Sequence, residues 1–505
     1  MTANTSDPHI RLRERLRRVY LLRSSLGLLD WDQQVSLPEG GAELRSEQSA
    51  LLAELAHQTF VSNETREALE ALEETDPAPT SDRAVVARLT RRDYDRAVRL
   101  PARFVREKTE HLNRSYHAWT RARADDDFAS FAPFLERNLE LAREEAGLQG
   151  YSKNPYDYHL DQHDPGIDTE KVTVLFGELR EPLRELAGAI LESQEPADPD
   201  LFRGFPVERQ EQFARLATAK IGFDYKRGRL DRSVHPFCSG DGRDTRLTTR
   251  FFPDNPLDSL FSSLHEAGHG LYCQGLPIED CATPLGEAVG MAVHESQSRL
   301  WENQVGRSRA FWTYFGPLYR EHFPEQLRHV PDDALLAAIN RVSRNPIRVD
   351  SDEVTYNLHI MLRFELERTL FDGNLAVRDL PGEWNRLSQS IVGLEPANDR
   401  EGVLQDIHWS SGGFGYFPSY TLGNLIAAQL WETAREALPG LEDGFARGEF
   451  GPLLEWLLKT IHRHGRRFET DEIVTLATGR PLSTAPLLRY LRERYLAPHA
   501  DRAKV

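Results

Sequence analysis

Apolar residues recur at intervals of three and four along most of the chain, which is the spacing of an amphipathic α-helix. Two such runs lie near the amino terminus, with the apolar members Leu12, Leu16, Val19, Tyr20, Leu51, Leu52, Leu55 and Phe60. Alternation of apolar and polar residues, the pattern of a strand, is scarce and is best developed over residues 246–252. The pattern predicts a mainly α-helical fold with one small β element.

Breaks in this pattern fall at 76–79, 195–206 and 412–420, where Pro, Gly or Asp cluster. The sequence shows no internal repeat and no low-complexity segment. With 505 residues the chain has ample apolar material for a large core. We therefore predict a single large helical body.

Composition argues against several classes of function. The 62 basic and 79 acidic residues give a net charge of -17, whereas a nonspecific nucleic-acid binder needs a basic stripe. No apolar run approaches the ~20 residues of a membrane span, and residues 1–18 lack the apolar core of a secretory leader. Cys238, Cys273 and Cys281 show no paired spacing, which indicates a reducing compartment. We expect a cytoplasmic protein that binds neither nucleic acid nor membranes.

The basic residues are nearly all arginine, with seven lysines among the 62. Two explanations stay open. An acidic, lysine-poor surface suits a salty cytoplasm, because excess carboxylate keeps a protein in solution there. A GC-rich genome would produce the same bias through arginine codons.

Residues 255–275 predict one helix with a metal-binding motif inside it. Residues that start and end helices flank the stretch, namely Asn255 as N-cap, Pro256 at the first position and Gly275 as a left-handed end. The motif is His265-Glu266-Ala267-Gly268-His269. Four residues make about one turn, so His265 and His269 project from one face and can bind one Zn²⁺. Glu266 is angled to reach a water held by that ion, which is the position of a general base.

A third ligand is expected on a second helix, predicted over residues 286–305. Glu295 lies 26 residues after His269, and a turn containing Pro and Gly separates the two. Two histidines and a glutamate leave one position open, as in a catalytic zinc site. Glu287 and Glu302 are rival ligands in the same region.

Several further motifs resemble those of the carboxypeptidase Taq family of metallocarboxypeptidases. They are His235-Pro236-Phe237, Asp244-Thr245-Arg246-Leu247-Thr248, Ile347-Arg348-Val349-Asp350-Ser351-Asp352, Gly402-Val403-Leu404-Gln405-Asp406-Ile407-His408-Trp409 and His294-Glu295-Ser296-Gln297. The segment Trp31-Asp32-Gln33-Gln34, with Pro38 and Arg45 after it, is similar to the first helical hairpin of the family. Ser351 departs from the usual Ala, with little consequence expected beyond one hydrogen bond.

The resemblance implies a peptidase that removes single residues from peptide C-termini with broad side-chain tolerance. It implies a helical fold with a deep cleft, like that of neurolysin and angiotensin-converting enzyme. It also implies Zn²⁺, for which Co²⁺ can substitute, and a homodimer. On this basis residues 1–505 form one domain, in which roughly 1–100 make a helical lid and 230–425 carry the zinc and substrate site.

Roles in amide hydrolysis follow from the chemistry. Glu266 would take a proton from the attacking water and pass it to the leaving amine. His408 and Tyr420 are the favoured donors to the oxyanion. Tyr416 is a candidate substrate contact, and the alternative is that Tyr416 and Phe417 only pack the cleft wall.

An exopeptidase must also bind the terminal carboxylate of its substrate, and Arg348 is the first candidate. The alternative is that Arg348 forms an ion pair with Asp350 or Asp352. Arg246 is the second candidate for the same task. The residues expected to orient the ligands or brace the cleft are His235, Asp244 and His294.

Two other functions stay open at this point. A cytosolic zinc endo-oligopeptidase would share the zinc helices but bind substrate backbone on both sides of the cleaved bond. A helical scaffold or binding protein would carry the metal motif by accident, and it would bind no stoichiometric metal.

Overall fold

The computed structural model describes residues 7–194, 198 and 200–496. Residues 1–6, which belong to the segment 1–18 in which no secretory leader was expected, lie outside the described residues. So do residues 195–197 and 199 of the predicted break at 195–206, and residues 497–505 of the predicted domain.

Helices dominate the described chain, as predicted. Those before the sheet are α1 (Pro8–Val35), α2 (Ala42–Phe60), α3 (Asn63–Glu73), α4 (Asp82–Arg99), α5 (Ala102–Asp125), α6 (Phe128–Leu148), α7 (Pro155–His163), α8 (Thr169–Ser193) and α9 (Val207–Ile221). Those after it are α10 (Pro256–Gly275), α11 (Met291–Arg299), α12 (Arg309–His322), α13 (Pro324–Leu327), α14 (Asp332–Ile339), α15 (Tyr356–Phe371), α16 (Leu380–Leu387), α17 (Phe417–Ala437), α18 (Leu441–Ala446), α19 (Gly451–Thr460), α20 (Thr470–Thr478) and α21 (Ala485–Tyr495).

Shorter helical segments connect these elements. The π-helical turns are Leu300–Val305 and Ser388–Val392. The 3-10 turns are Glu39–Gly41, Ile278–Asp280, Pro284–Gly286, Arg348–Asp350, Val377–Asp379, His408–Ser411 and His462–Arg467.

The β element is a three-stranded sheet directly before α10. Its strands are β1 (Gly228–Arg232), β2 (Phe237–Asp241) and β3 (Asp244–Thr249), in the order β1-β3-β2. β3 is parallel to β1 and antiparallel to β2. The predicted strand at 246–252 is β3 in part, but β3 ends at Thr249. β1 and β2 were not predicted, because each contains Gly and Asp, which are uncommon in strands.

Two hydrophobic cores divide the molecule. The large core joins α5 through α21, and a smaller one joins α1 to α4 through residues such as Leu12, Leu69 and Val86. Leu285, in the segment between α10 and α11, is the residue of the main body that contributes to the smaller core. Thus α1–α4 pack as a unit on the connection between α10 and α11. That this unit moves as a lid stays a prediction.

A cavity of about 700 Å³ is lined by residues of α1, β2, β3 and the end of α10, and the Tyr20 hydroxyl of α1 bonds to Asp241 of β2 beside it. Ion pairs join α1–α4 to the main body, where Arg13 meets Asp280 at 2.7 Å and Arg466 meets Asp93 at 2.7 Å. No helix of the described ranges is both long enough and apolar enough to cross a membrane.

Candidate metal centre and active site

Helix α10 carries the metal motif and begins as its sequence predicts. Pro256 occupies the first turn, where a missing N–H costs nothing, although the Asn255 side chain makes no capping hydrogen bond. The helix ends at Gly275 without the predicted left-handed conformation, since neither Gly275 nor Leu276, whose φ is -66°, has a positive φ. The ring of His462 fills the space that a side chain at Gly275 would need. Packing, and not the turn, therefore requires this glycine.

Helix α11 crosses α10 at the metal motif, and Gly268 makes this close approach possible. A Cβ atom at position 268 would lie 2.6 Å from the carbonyl oxygen of Gln297 and 2.6 Å from Cα of Ser298. Both are backbone atoms, so they could not move aside separately. The Gly inside the motif thus lets Glu295 come within reach of the two histidines.

His265, His269 and Glu295 converge on one point. Nε2 of His265 lies 3.5 Å and Nε2 of His269 lies 3.4 Å from Oε2 of Glu295. The three ligand atoms all lie within 4.8 Å of one another. Two imidazole nitrogens and one carboxylate oxygen form a donor set that suits a divalent ion of the zinc type. The residues present therefore fit the predicted metal. The third ligand atom of the cluster belongs to Glu295, and not to Glu287 or Glu302.

The rival glutamates lie elsewhere. Glu302, on the π-helical turn after α11, accepts a hydrogen bond from Nδ1 of His265 at 2.8 Å. This contact turns Nε2 of His265 toward the cluster and favours the tautomer that carries its proton on Nδ1. Glu287 forms an ion pair with Arg466 at 2.8 Å.

Arg299 links the two buried glutamates. Its Nε donates to Oε1 of Glu295 at 2.6 Å and its guanidinium lies 3.2 Å from Oε2 of Glu302. Burial by itself would raise the pKa of Glu295, but the charges of Arg299 and His265 outweigh burial and lower this pKa. Glu295 is thus held as a carboxylate with one oxygen facing the histidines. Sequence reasoning missed Arg299, although its i,i+4 spacing from Glu295 is a usable signal.

His294 supports the second histidine. Nδ1 of His269 donates to the backbone carbonyl of His294 at 3.1 Å, and the two Nδ1 atoms lie 2.5 Å apart. Nε2 of His294 also contacts Sγ of Cys273 at 3.7 Å. The structure therefore brings His294 to the position expected of an orienting residue, and Cys273 is buried beside it.

Glu266 lies buried among these groups, with 6% of its surface exposed. Burial raises the pKa of Glu266 to about 7. The charge of His265 opposes this rise in pKa, and the charge of Glu295 adds to it. A carboxyl group with a pKa near neutrality can accept a proton and later return it. The local environment thus equips Glu266 for general acid–base chemistry.

His408 and Tyr420 meet at another wall of the site. The Tyr420 hydroxyl lies 3.2 Å from Nε2 of His408, and the His408 ring packs on Phe417 at 4.4 Å. Burial, together with the charge of Arg348, lowers the pKa of His408 to about 3, so its imidazole is neutral. Burial and then the charge of Glu295 raise the pKa of Tyr416. Phe417 is fully buried and packs the wall, whereas Tyr416 is half-buried.

Arg348 forms an ion pair, but its partner is neither Asp350 nor Asp352. Its guanidinium binds Asp406 at 2.8 Å and donates to the Tyr356 hydroxyl at 2.9 Å. The alternative of an ion pair was right in kind but named the wrong acids, because Asp406, 58 positions away, reaches Arg348 only through the tertiary fold.

Arg363 binds the other oxygen of Asp406 at 2.6 Å. One carboxylate thus serves two guanidinium groups, and the buried cluster keeps a net positive charge. Burial by itself would raise the pKa of Asp406, but the charges of Arg348 and Arg363 hold this pKa below its usual value. Whether Arg348 binds a substrate carboxylate stays a prediction.

The remaining candidates lie toward the sheet. Arg246 pairs with Asp244 at 2.9 Å and stacks over the Trp31 ring at 4.3 Å, at the edge of the 700 Å³ cavity. Asp244 is exposed, and so is His235 in the loop between β1 and β2. Among the described residues, no contact joins His235 or Asp244 to the three clustered ligands. The structure therefore does not bring these two to the metal cluster, whereas His294 does reach it.

The chain matches the carboxypeptidase Taq (M32) metallopeptidase family over residues 11–495. It belongs to this family. Thermostable carboxypeptidase 1 of Thermus thermophilus is 43% identical over 489 residues, which cover 94% of this chain and 96% of that relative. Carboxypeptidase 1 of Bacillus subtilis is 34% identical over 482 residues, covering 95% and 96%.

Solved structures of carboxypeptidases of the M32 type share the fold. The M32 carboxypeptidase from Deinococcus radiodurans is 42% identical, with a TM-score of 0.94 over 98% of this chain and 99% of that one. Metallocarboxypeptidase 1 of Trypanosoma cruzi is 35% identical, with a TM-score of 0.91 over 97% and 99%. The predicted family and helical fold are confirmed. This M32 protein is a peptide hydrolase, its family implies a metal ion, and the scaffold hypothesis is wrong.

Proposed function

We propose that the protein is a zinc carboxypeptidase that releases single residues from peptide C-termini with broad side-chain tolerance. The observation that carries this proposal is the convergence of His265, His269 and Glu295 beside the buried Glu266. Co²⁺ would substitute for Zn²⁺ because both accept this donor set. We place the enzyme in the cytoplasm, acting on peptides and not on nucleic acids or membranes.

His265, His269 and Glu295 would hold the ion. When bound, a Zn²⁺ ion polarises the scissile carbonyl and acidifies water. Glu266 takes a proton from the attacking water on its carboxylate oxygen and then returns it to the nitrogen of the leaving amine. The raised pKa of Glu266 suits both transfers.

Two groups of the opposite wall stabilise the charge that develops on the carbonyl oxygen. The Tyr420 hydroxyl and the imidazole of His408 donate toward it, and Tyr416 holds the substrate beside them. Arg348 binds the substrate carboxylate, because the net positive cluster around Asp406 attracts an anion. Arg246 is the second candidate for that carboxylate.

The test uses one peptide in two forms, with a free C-terminal carboxylate and with a C-terminal amide. Mass spectrometry should show stepwise loss of single residues from the free acid and at least about 100-fold slower cleavage of the amide, because the carboxylate contact is lost. The chelator-treated enzyme should be inactive until Zn²⁺ or Co²⁺ is restored. Internal cleavage of both forms would instead support an endo-oligopeptidase, which the family does not favour.

A further inference from the structure

The loop formed by residues 406–416 presents His408 and Tyr416 to the site, and we call it the histidine loop. Three of its residues are glycines, and two of these, Gly412 and Gly415, have a φ of +74°, a conformation that other residues rarely adopt. Because glycine loses more conformational freedom on folding than any other residue, contacts from outside the loop are needed to hold the two side chains in place.

One carboxylate, that of Glu367 on α15, accepts hydrogen bonds from both halves of the histidine loop. Nε1 of Trp409 donates to Oε1 of Glu367 at 2.7 Å, and the backbone N–H of Gly415 donates to Oε2 at 2.9 Å. Each of these donors is next in sequence to one of the two residues that face the site. A third donor is the Tyr156 hydroxyl of α7, which lies 2.7 Å from Oε2.

The Glu367 side chain is fully buried. Burial raises the pKa of Glu367 to about 7, and the hydrogen bonds from Trp409, Tyr156 and Gly415 oppose this rise. A buried carboxylate is costly, and an apolar side chain would fill the same volume at a lower cost in free energy. The presence of a carboxylate here therefore indicates a task that requires an acceptor of several hydrogen bonds.

Helix α15 also holds the histidine loop on the other side of His408. Arg363 lies four residues, or about one helical turn, before Glu367. It binds Asp406, two positions before His408, at 2.6 Å. Because Glu367 binds the residue directly after His408, one helix fixes the loop on both sides of this imidazole.

We propose that Glu367 is a positioning residue, which holds the histidine loop so that the His408 imidazole faces the developing oxyanion. This inference rests on the proposed function, in which His408 donates to that oxyanion. Since Glu367 is fully buried, it cannot touch a substrate and acts through the loop alone. Misplacement of a catalytic group by about 1 Å can lower turnover about 100-fold, so the loss of one loop contact is enough to change the rate.

Replacement of Glu367 by Gln tests the proposal, because the amide keeps the shape of the side chain but accepts hydrogen bonds through one oxygen only. Whichever way the amide faces, its NH2 group meets a donor of the loop, either Nε1–H of Trp409 or the N–H of Gly415. One loop contact is therefore lost. With the zinc-loaded full chain and a free-acid peptide, kcat should fall about 10- to 100-fold while KM stays within about threefold of wild type.

A double-mutant cycle with His408→Ala separates positioning from a general loss of structure. If Glu367 acts through His408, adding Glu367→Gln to His408→Ala should lower kcat further by less than about threefold, because the group that it positions is already absent. An effect of Glu367→Gln that is equally large with and without the His408 side chain would overturn the proposal.

The matched control is Glu365→Gln on the same helix, where the carboxylate pairs with Arg368 at 2.7 Å and not with the histidine loop. It should keep wild-type kcat, and all variants should keep native helicity by circular dichroism and wild-type zinc content. A folded Glu367→Gln enzyme with kcat within about threefold of wild type would overturn the proposal.

Trp409→Phe provides a second test if Glu367→Gln does not fold, since it removes one of the same hydrogen bonds from the loop side. Its kcat should fall about tenfold at unchanged KM, and an unchanged kcat would overturn the proposal. A His408→Ala enzyme with wild-type kcat would contradict the proposed oxyanion role and this inference together. An impaired His408→Ala enzyme beside an unimpaired Glu367→Gln enzyme would overturn the positioning role alone.

Discussion

Glu266 acquires its proposed chemistry from where its carboxyl group lies. On an exposed helix face a glutamate is ionised at neutral pH and is a weak base. At 6% exposure, burial raises the pKa of Glu266 to about 7. A raised pKa lets this carboxyl group hold a proton more readily than an exposed glutamate does, which suits a group that first accepts a proton and then returns it.

Replacement of Glu266 by Gln tests this role. The amide keeps the shape of the side chain but can no longer accept the proton, so kcat should fall about 10²- to 10⁴-fold while the metal stays bound. Turnover of a free-acid peptide and metal content by elemental analysis measure the two quantities. Glu279→Gln, at an exposed position near α10, is the control and should retain wild-type turnover. A Glu266→Gln enzyme within tenfold of wild type would refute the role.

Each of the two histidines of the cluster is held by a second residue, and the spacing of residues along the sequence did not predict these contacts. Glu302 bonds to His265, and His294 bonds to His269, so each imidazole is held from behind. Glu302 was one of three candidate ligands by sequence. The π-helical turn Leu300–Val305 shifts the helical phase at this point, and therefore ordinary helix spacing could not predict its side.

At the scale of the elements, the metal cluster depends on how closely α10 and α11 cross. The histidines come from α10 and the glutamate from α11, so their convergence requires contact at Gly268. The periodicity of the sequence predicted both helices. It could not predict their separation, since that is set by the smallest side chain at the crossing.

Substitution Gly268→Ala should separate the two helices. A Cβ atom 2.6 Å from two backbone positions forces a shift, which should outweigh the roughly 1 kcal/mol that Ala gains as a helix former. We expect a loss of about 1–3 kcal/mol in the free energy of unfolding and weaker metal binding, measured by chemical denaturation and by competition with a chelator.

Gly177→Ala in α8 is the matched control, because nothing lies within 4 Å of the added Cβ. It should stabilise the protein slightly and leave metal affinity unchanged. Equal metal affinity in Gly268→Ala and wild type would show that the crossing does not position Glu295.

For the whole molecule, the separate core of α1–α4 is the main architectural feature. Its apolar contact with the main body includes Leu285, and ion pairs such as Arg466 with Asp93 and Arg13 with Asp280 join it to that body. Ion pairs of this kind contribute modestly and weaken with salt. We therefore expect this unit to open more readily than the body opens.

Arg466→Ala should loosen that attachment. Hydrogen exchange should become about tenfold faster in the segments of α1–α4 that face the body, while α15 and α17 keep wild-type protection. Arg447→Ala, which removes an exposed ion pair with Glu449 on the body, is the control and should leave α1–α4 unchanged. Uniformly faster exchange in α15 and α17 as well would indicate global destabilisation and contradict a separately opening unit.

The sequence by itself determined those features that depend on neighbours along the chain. Periodicity determined the helical class, and the helix pitch alone placed His265 and His269 on one face. The motif order also identified the family, since each motif is local and can be recognised without the fold.

Only the tertiary structure decided how distant segments meet. It selected Glu295 over Glu287 and Glu302, paired Arg348 with Asp406 instead of Asp350 or Asp352, and left His235 and Asp244 away from the cluster. The physical reason is that such contacts depend on crossing angles, glycine gaps and burial across elements far apart in sequence. Local hydrogen bonding and periodicity carry no information about these quantities.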